Sequence, residues 1–180
     1  MQILMPNRLN RFIKASFLGG FFVVVFLVLT ACNTARADKK MVFRYNEPAG
    51  IPSLDPAFAK EKSSIWAVQQ LYEGLVALDV NNYISPALAD DWKIDSTATV
   101  YTFRLRDAQF HNGKSVTAQD VVYSLTRLKD PRVASPGSWV VEGVSACREI
   151  DASTVEIVLQ EPTSSFLSLL AMPFCSIIPS

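Results

Sequence analysis

Between Val100 and Arg106 the chain alternates without a break. Tyr101, Phe103 and Leu105 fall on one side, and Thr102, Arg104 and Arg106 on the other. A period of two belongs to a β-strand with one face buried and one face wet. The strand predicts a partner, and Trp92-Lys93-Ile94 supplies one across the loop Ser96-Thr97-Ala98 as a hairpin. A second hairpin is predicted from Val144–Ile150 and Thr154–Leu159, joined by Asp151-Ala152-Ser153.

Between the hairpins the period changes from two to that of a helix. Thr117-Ala118-Gln119-Asp120 starts it, with Thr117 as cap and Asp120 placed to reach back in a capping box. Val121, Val122, Leu125 and Leu128 form one apolar stripe; Lys129 suits the last turn and Asp130-Pro131 the stop. Residues 132–143, with Ser135-Pro136-Gly137 and Trp139, are expected to be irregular.

Upstream, Val42-Phe43-Arg44-Tyr45 has strand composition, and Glu47-Pro48-Ala49-Gly50 breaks it. Ser53-Leu54-Asp55-Pro56 reads as a turn, since Asp bonds the following backbone and Pro fixes φ. Ser63 or Ser64 is expected to cap a helix through Ile65, Trp66, Val68, Leu71 and Tyr72, with Gly74 ending or turning it. Val80-Asn81-Asn82-Tyr83 and Asn112-Gly113 read as tight turns, the latter because both residues tolerate positive φ. Downstream, Pro162 is expected to begin a short helix holding Phe166, Leu167, Leu169 and Leu170. Ile177-Ile178 reads as an apolar strand whose neighbour is not evident, so residues 41–180 alone are expected to be partly unfolded or aggregation-prone.

Charge separates the first residues from the rest. Arg8, Arg11 and Lys14 are the only charges before residue 32, and an apolar run from Ala15 to Ala31 follows them. This is the layout of a secretory signal peptide, predicted over residues 1–31. Leu29-Thr30-Ala31-Cys32 resembles the lipobox of bacterial lipoproteins, which implies Cys32 as the lipid attachment point and 33–40 as a tether. Ordinary cleavage after Ala35-Arg36-Ala37 and a retained anchor also fit the pattern. From residue 32 onward the chain carries 14 basic and 17 acidic residues (17 − 3 = 14 and 17 − 0 = 17), a scattered net charge of −3 with no footprint for nucleic acid.

Chemistry-bearing clusters are sparse in the sequence. His111 is the lone histidine and sits beside a turn, without sequence neighbours that make it a metal ligand or base, so no metal, cofactor or catalytic residue is expected. Cys147 and Cys175 either pair in an oxidising compartment or serve as small buried apolar residues, and the second reading is preferred.

The order of several segments resembles the extracytoplasmic solute-binding proteins of family 5, the oligopeptide- and dipeptide-binding group. They are Ser53-Leu54-Asp55-Pro56, Leu71-Tyr72-Glu73-Gly74-Leu75-Val76, Pro86-Ala87-Leu88-Ala89 with Trp92, and Tyr101-Thr102-Phe103-Arg104-Leu105-Arg106. Phe110-His111-Asn112-Gly113 follows, then Val116-Thr117-Ala118-Gln119-Asp120-Val121-Val122-Tyr123-Ser124, and last Asp151 with Val155-Glu156-Ile157-Val158-Leu159 and Pro162. The resemblance runs from about Phe43 to Ser180.

It implies a mixed α/β (α+β) fold, the N-terminal part of a two-lobed clamp of the periplasmic-binding-protein kind. Residues 41–75 would be the first segment of lobe 1, 76–163 an extra subdomain, and 164–180 the start of a return to lobe 1, truncated relative to the family. It also implies a solute-binding component of an ABC import system that takes up peptides. Its partners would be a peptide or similar small solute, a permease in the membrane, and the membrane itself through the lipid. By position, Lys60, Glu61, Lys62 and Ser63 would contact ligand, with the aromatic Trp139 after Ser135-Pro136 as a further contact; the alternative for 60–62 is a solvated charged loop. The alternative function is a non-transport lipoprotein or interaction module, or a non-functional truncated remnant.

Overall fold

The structure is a computed structural model that describes Val42 and residues 44–180. The signal peptide, Cys32, the tether, Met41 and Phe43 lie outside the described residues. Val42, Arg44 and Tyr45 belong to one unit and Asn46–Ser180 to another. Val42, Arg44 and Tyr45 are not in a strand, which corrects the strand expected at 42–45. Every strand among the described residues lies after residue 75.

Six strands and three α-helices make up Asn46–Ser180. The strands are β1 (Val76–Leu78), β2 (Ile84–Pro86), β3 (Ala89–Ile94), β4 (Val100–Leu105), β5 (Val144–Asp151) and β6 (Thr154–Leu159); the helices are α1 (Lys62–Leu71), α2 (Ala118–Lys129) and α3 (Phe166–Leu170). β1 and β2 form a two-stranded hairpin, and the other four make an antiparallel sheet in the order β3-β4-β6-β5. Both expected hairpins are therefore present, set side by side so that β4 pairs with β6.

The alternation in β4 does what its period requires. Tyr101, Phe103 and Leu105 are buried, and on β6 so are Val155, Ile157 and Leu159. Register places Phe103 opposite Val155 and Tyr101 opposite Ile157, giving a continuous apolar layer. Each such side chain removed from water contributes about 1.5–3 kcal/mol. α2 covers this face over β5 and β6 with Val121, Leu125 and Leu128. Val122, expected in the stripe, is only half-buried, and Asp120 and Ser124 are buried instead. The opposite face is polar, with Arg104 ion-paired to Asp90 and Arg148 to Glu156.

α2 starts as expected: Asp120 Oδ2 accepts from the Thr117 N–H at 2.9 Å and from its hydroxyl at 2.8 Å. α1 differs. Its cap position is Glu61, and Ser63 and Ser64 lie buried in the first turn. Ser64 Oγ instead accepts from the Ser53 N–H at 3.3 Å. A serine hydroxyl can satisfy either a helix end or a neighbouring turn, and here the turn takes it.

α1 stops at Leu71, before Gly74. The glycine serves close approach: a Cβ there would sit 3.3 Å from the carbonyl oxygens of Leu170 and Val76. This brings the start of β1 against the end of α3, whose first residue, Phe166, meets Tyr101 edge-on at 4.9 Å. At Asn112-Gly113 only the glycine has positive φ, +82°. Residues 162–165 precede the last helix, and Ser138–Val141 form a 3-10 turn inside the segment expected to be irregular.

The expected strand at Ile177–Ile178 is not formed. The Ile177 N–H donates to the Glu73 carbonyl at 2.9 Å, the Ile178 N–H to Ser124 Oγ at 3.0 Å, and the Ser180 N–H to Asp120 Oδ1 at 2.9 Å. Side chains of α2 replace the ladder, so the backbone donors are met without a strand neighbour. That removes the reason for expecting residues 177–179 to fray.

Candidate ligand-binding face

The turn before α1 is built from local bonds. Asp55 Oδ1 accepts from the Ala57 N–H at 3.0 Å, and Pro56–Phe58 continues as one 3-10 turn. Ser53 Oγ accepts from the Asp55 N–H at 3.1 Å. This is the turn that Leu54-Asp55-Pro56 predicted. The Lys60 N–H donates to the Phe58 carbonyl at 2.8 Å, so Lys60 leaves the turn in a fixed direction.

Two bonds from far along the chain hold the same turn. Arg127 Nη1 lies 2.9 Å from Asp55 Oδ1 and Nη2 2.5 Å from Oδ2, a fork-to-fork pair. The hydrogen bonds to Asp55, which outweigh burial of the guanidinium, push the Arg127 pKa above its ordinary value. Ser135 Oγ donates to the Ala57 carbonyl at 2.6 Å and accepts from the Gly137 N–H at 3.0 Å. Sequence reasoning missed both ties. Arg127 looks like one more charge in a helix's last turn, and nothing in the sequence points it at residue 55.

The structure puts Lys60, Glu61 and Lys62 in the open, at the N-terminal end of α1. Ser63 is buried at 8% exposure, which leaves its hydroxyl facing protein rather than solvent. Trp139 is 51% exposed, on the 3-10 turn that follows Ser135. Lys60 and Trp139 thus follow the two ends of the Ala57–Ser135 bond, three and four residues further along the chain. An exposed indole suits an extended polar chain with side chains, through its apolar face and N–H.

A separate cleft of about 670 Å³ opens at the other end of α1, about 15 Å of helix away. Gln69, Tyr72, Glu73, Arg106, His111 and Asn112 line it. Its charges are already committed: Arg106 Nη2 lies 2.6 Å from Glu73 Oε2, and Arg106 Nε donates to the Ala87 carbonyl at 2.9 Å. Neither thiol among the described residues offers a nucleophile. Cys147 and Cys175 are both free, and burial pushes each up to about 12. This matches the small-buried-residue reading rather than a disulfide.

Comparison with known proteins gives the family. The model of the bacterial extracellular solute-binding proteins, family 5 Middle, matches residues 83–179. The chain is 35% identical to the periplasmic murein peptide-binding protein MppA of Escherichia coli (strain K12), over 77% of this chain and 29% of that protein. It is 34% identical to the periplasmic oligopeptide-binding protein OppA of the same strain, over 79% of this chain and 29% of that one. Among solved structures, OppA of Listeria monocytogenes bound to peptide superposes with a TM-score of 0.70 at 33% identity, covering 72% of this chain and 29% of that chain. The chain therefore spans about three tenths of the length of the relatives it matches. Its mixed helix-and-sheet fold corresponds to part of a two-lobed periplasmic binding protein. With a match across the sheet, α2 and the segment through Pro179, the chain belongs to the bacterial extracellular solute-binding proteins of family 5.

Proposed function

We propose that this chain is the leading part of the solute-binding component of an ABC importer, exported from the cytoplasm, with peptides as its solute. The observation that carries the reading is its similarity to two peptide-binding periplasmic proteins and to a third solved with peptide bound. Lys60, Glu61, Lys62 and Ser63 form the contact segment on the first-lobe side, and Trp139 adds an aromatic contact. Ser63 contributes by supporting the segment from beneath, since its side chain is buried. Solute lies extended and adds like a strand, so backbone hydrogen bonds carry affinity with little regard to side chains. A second lobe closes over it. The basic start and apolar run before Cys32 direct export, and lipid on Cys32 anchors the protein near its permease. The chain acts by binding rather than catalysis; Cys147 and Cys175 are held protonated by burial.

The test is a chimera in which residues 46–180 replace the matching segment of the Escherichia coli oligopeptide-binding protein, titrated with trialanine by calorimetry. Affinity within about tenfold of the parent is expected. A folded chimera that gives no heat of binding sinks the reading.

A further inference from the structure

The turn Ser53–Ala59 has neither a strand ladder nor a long helix to hold it, yet it delivers Lys60–Lys62 to the surface. α1 and the 3-10 turn Pro173–Cys175 pack against it, and further fixation comes from the stretch that follows the first hairpins. Asp55 accepts three N–H groups with one carboxylate: Ala57's own and two from Arg127. Only a planar guanidinium meets both oxygens at once. The pair is mostly sheltered, with side chains 22% and 32% exposed, so water competes weakly for it. On the far side of the turn, Ser135, buried at 5%, holds the Ala57 carbonyl. Ala57 and Ala59 are packed shut between these ties, at 1% and 0% exposure. From Ala59 a single peptide leads to Lys60.

We propose that Arg127 is a positioning residue for solute binding: through its two-pronged pair with Asp55, and with Ser135 on the Ala57 carbonyl, it sets the direction in which residues 60–63 meet the solute. This rests on the assignment of those residues to the solute contact. The segment 118–141 then serves as the jig that orders the contact segment, as well as presenting Trp139.

The full chain tests this by amide hydrogen exchange, without ligand. Arg127→Met is expected to speed exchange of residues 55–64 at least about tenfold while β4 and β6 keep their protection. Arg127→Lys, which keeps the charge and loses the fork, is expected to fall between. Ser135→Ala leaves the ion pair in place and is expected to loosen residues 57–61 and the Gly137 N–H while 53–56 keep their protection, which keeps the idea testable should Arg127→Met unfold the chain. Unchanged protection at 55–64 overturns the proposal. So does a loss spread evenly over β4, β6 and α2, since Arg127 would then serve only global stability. Failure of the peptide reading shows elsewhere, as absent trialanine binding by the chimera.

Discussion

The ring of Phe174 fills the place where a side chain on residue 137 would begin. A Cβ on Gly137 would stand 2.3 Å from Phe174 Cγ and 2.9 Å from its Cβ, well inside any real contact. The clash involves the root of the aromatic side chain, so rotating the ring cannot relieve it. Phe174 is buried on the 3-10 turn Pro173–Cys175. Gly137→Ala is expected to destabilise by about 1–3 kcal/mol, as overpacking does. Gly143 has open space around its Cα, so Gly143→Ala is expected to stay within about 0.5 kcal/mol. Urea midpoints for the two variants decide it; equal effects would mean Phe174 does not lie where it is described.

Asp95 organises the loop between β3 and β4. Its carboxylate accepts from the Thr97 hydroxyl at 2.6 Å and from the N–H groups of Val100, Thr97 and Thr99. These bonds, led by the hydroxyl, lower its pKa from 3.8 to about 2. A carboxylate depressed on folding stabilises fully above its unfolded value and loses that contribution as pH falls through its folded one. The gap in urea midpoint between wild type and Asp95→Ala is therefore expected to be level above about pH 5 and to close between about pH 4 and pH 2. A gap independent of pH would rule the carboxylate out as the cause.

Asp120 closes α2 at one end and the segment 178–180 at the other. Burial alone would raise its pKa, but hydrogen bonds from the Ser180 N–H and from Thr117 outweigh this and hold it below the ordinary range. Asp120→Ala removes the reach back to Thr117 and frees the Ser180 N–H. It is expected to cost about 1–2 kcal/mol in chemical unfolding, the scale of a lost helix cap with a further bond. Exchange at Ile178 and Ser180 should rise with it; no change there would detach the two roles.

Cys175 is 1% exposed with its thiol pushed up to about 12, and Cys147 is half-buried with the same direction of shift and the same cause. Iodoacetamide at pH 8 is expected to leave Cys175 unmodified in the folded protein and to alkylate it fully in urea, with Cys147 slow in the native state. Peptide mass mapping reads this. Rapid native labelling of Cys175 would contradict the packing described.

Trp139 is the exposed aromatic of the proposed contact face. In the chimera, Trp139→Ala is expected to weaken trialanine binding about tenfold, the usual scale for a buried aromatic anchor. Trp66, 48% exposed on α1, provides the comparison, with Trp66→Ala expected to change affinity little. Equal affinities for Trp139→Ala and its parent would remove Trp139 from the site.

What could be read in advance was local. The alternation at Tyr101, Phe103 and Leu105 set a strand and its buried face, and Thr117 with Asp120 set the start of α2, because each pattern is complete within one turn or one strand. Asp55 and its Ala57 bond were legible for the same reason. The bond from Asp55 to Arg127 spans 72 positions and that from Ala57 to Ser135 spans 78, so no periodicity carries them. Ser64 misled because a cap and a turn want the same hydroxyl. Ile177-Ile178 misled because composition marks a strand but cannot show that Glu73, Ser124 and Asp120 already take the N–H groups of Ile177, Ile178 and Ser180.

The meeting of Gly74 with the Leu170 carbonyl has an architectural consequence. Everything from β1 through α3 departs from and comes back to one spot, like a bag drawn shut at its neck. A bulkier residue at position 74 would prise the two passes apart, and with them the entry into β1 and the exit from α3.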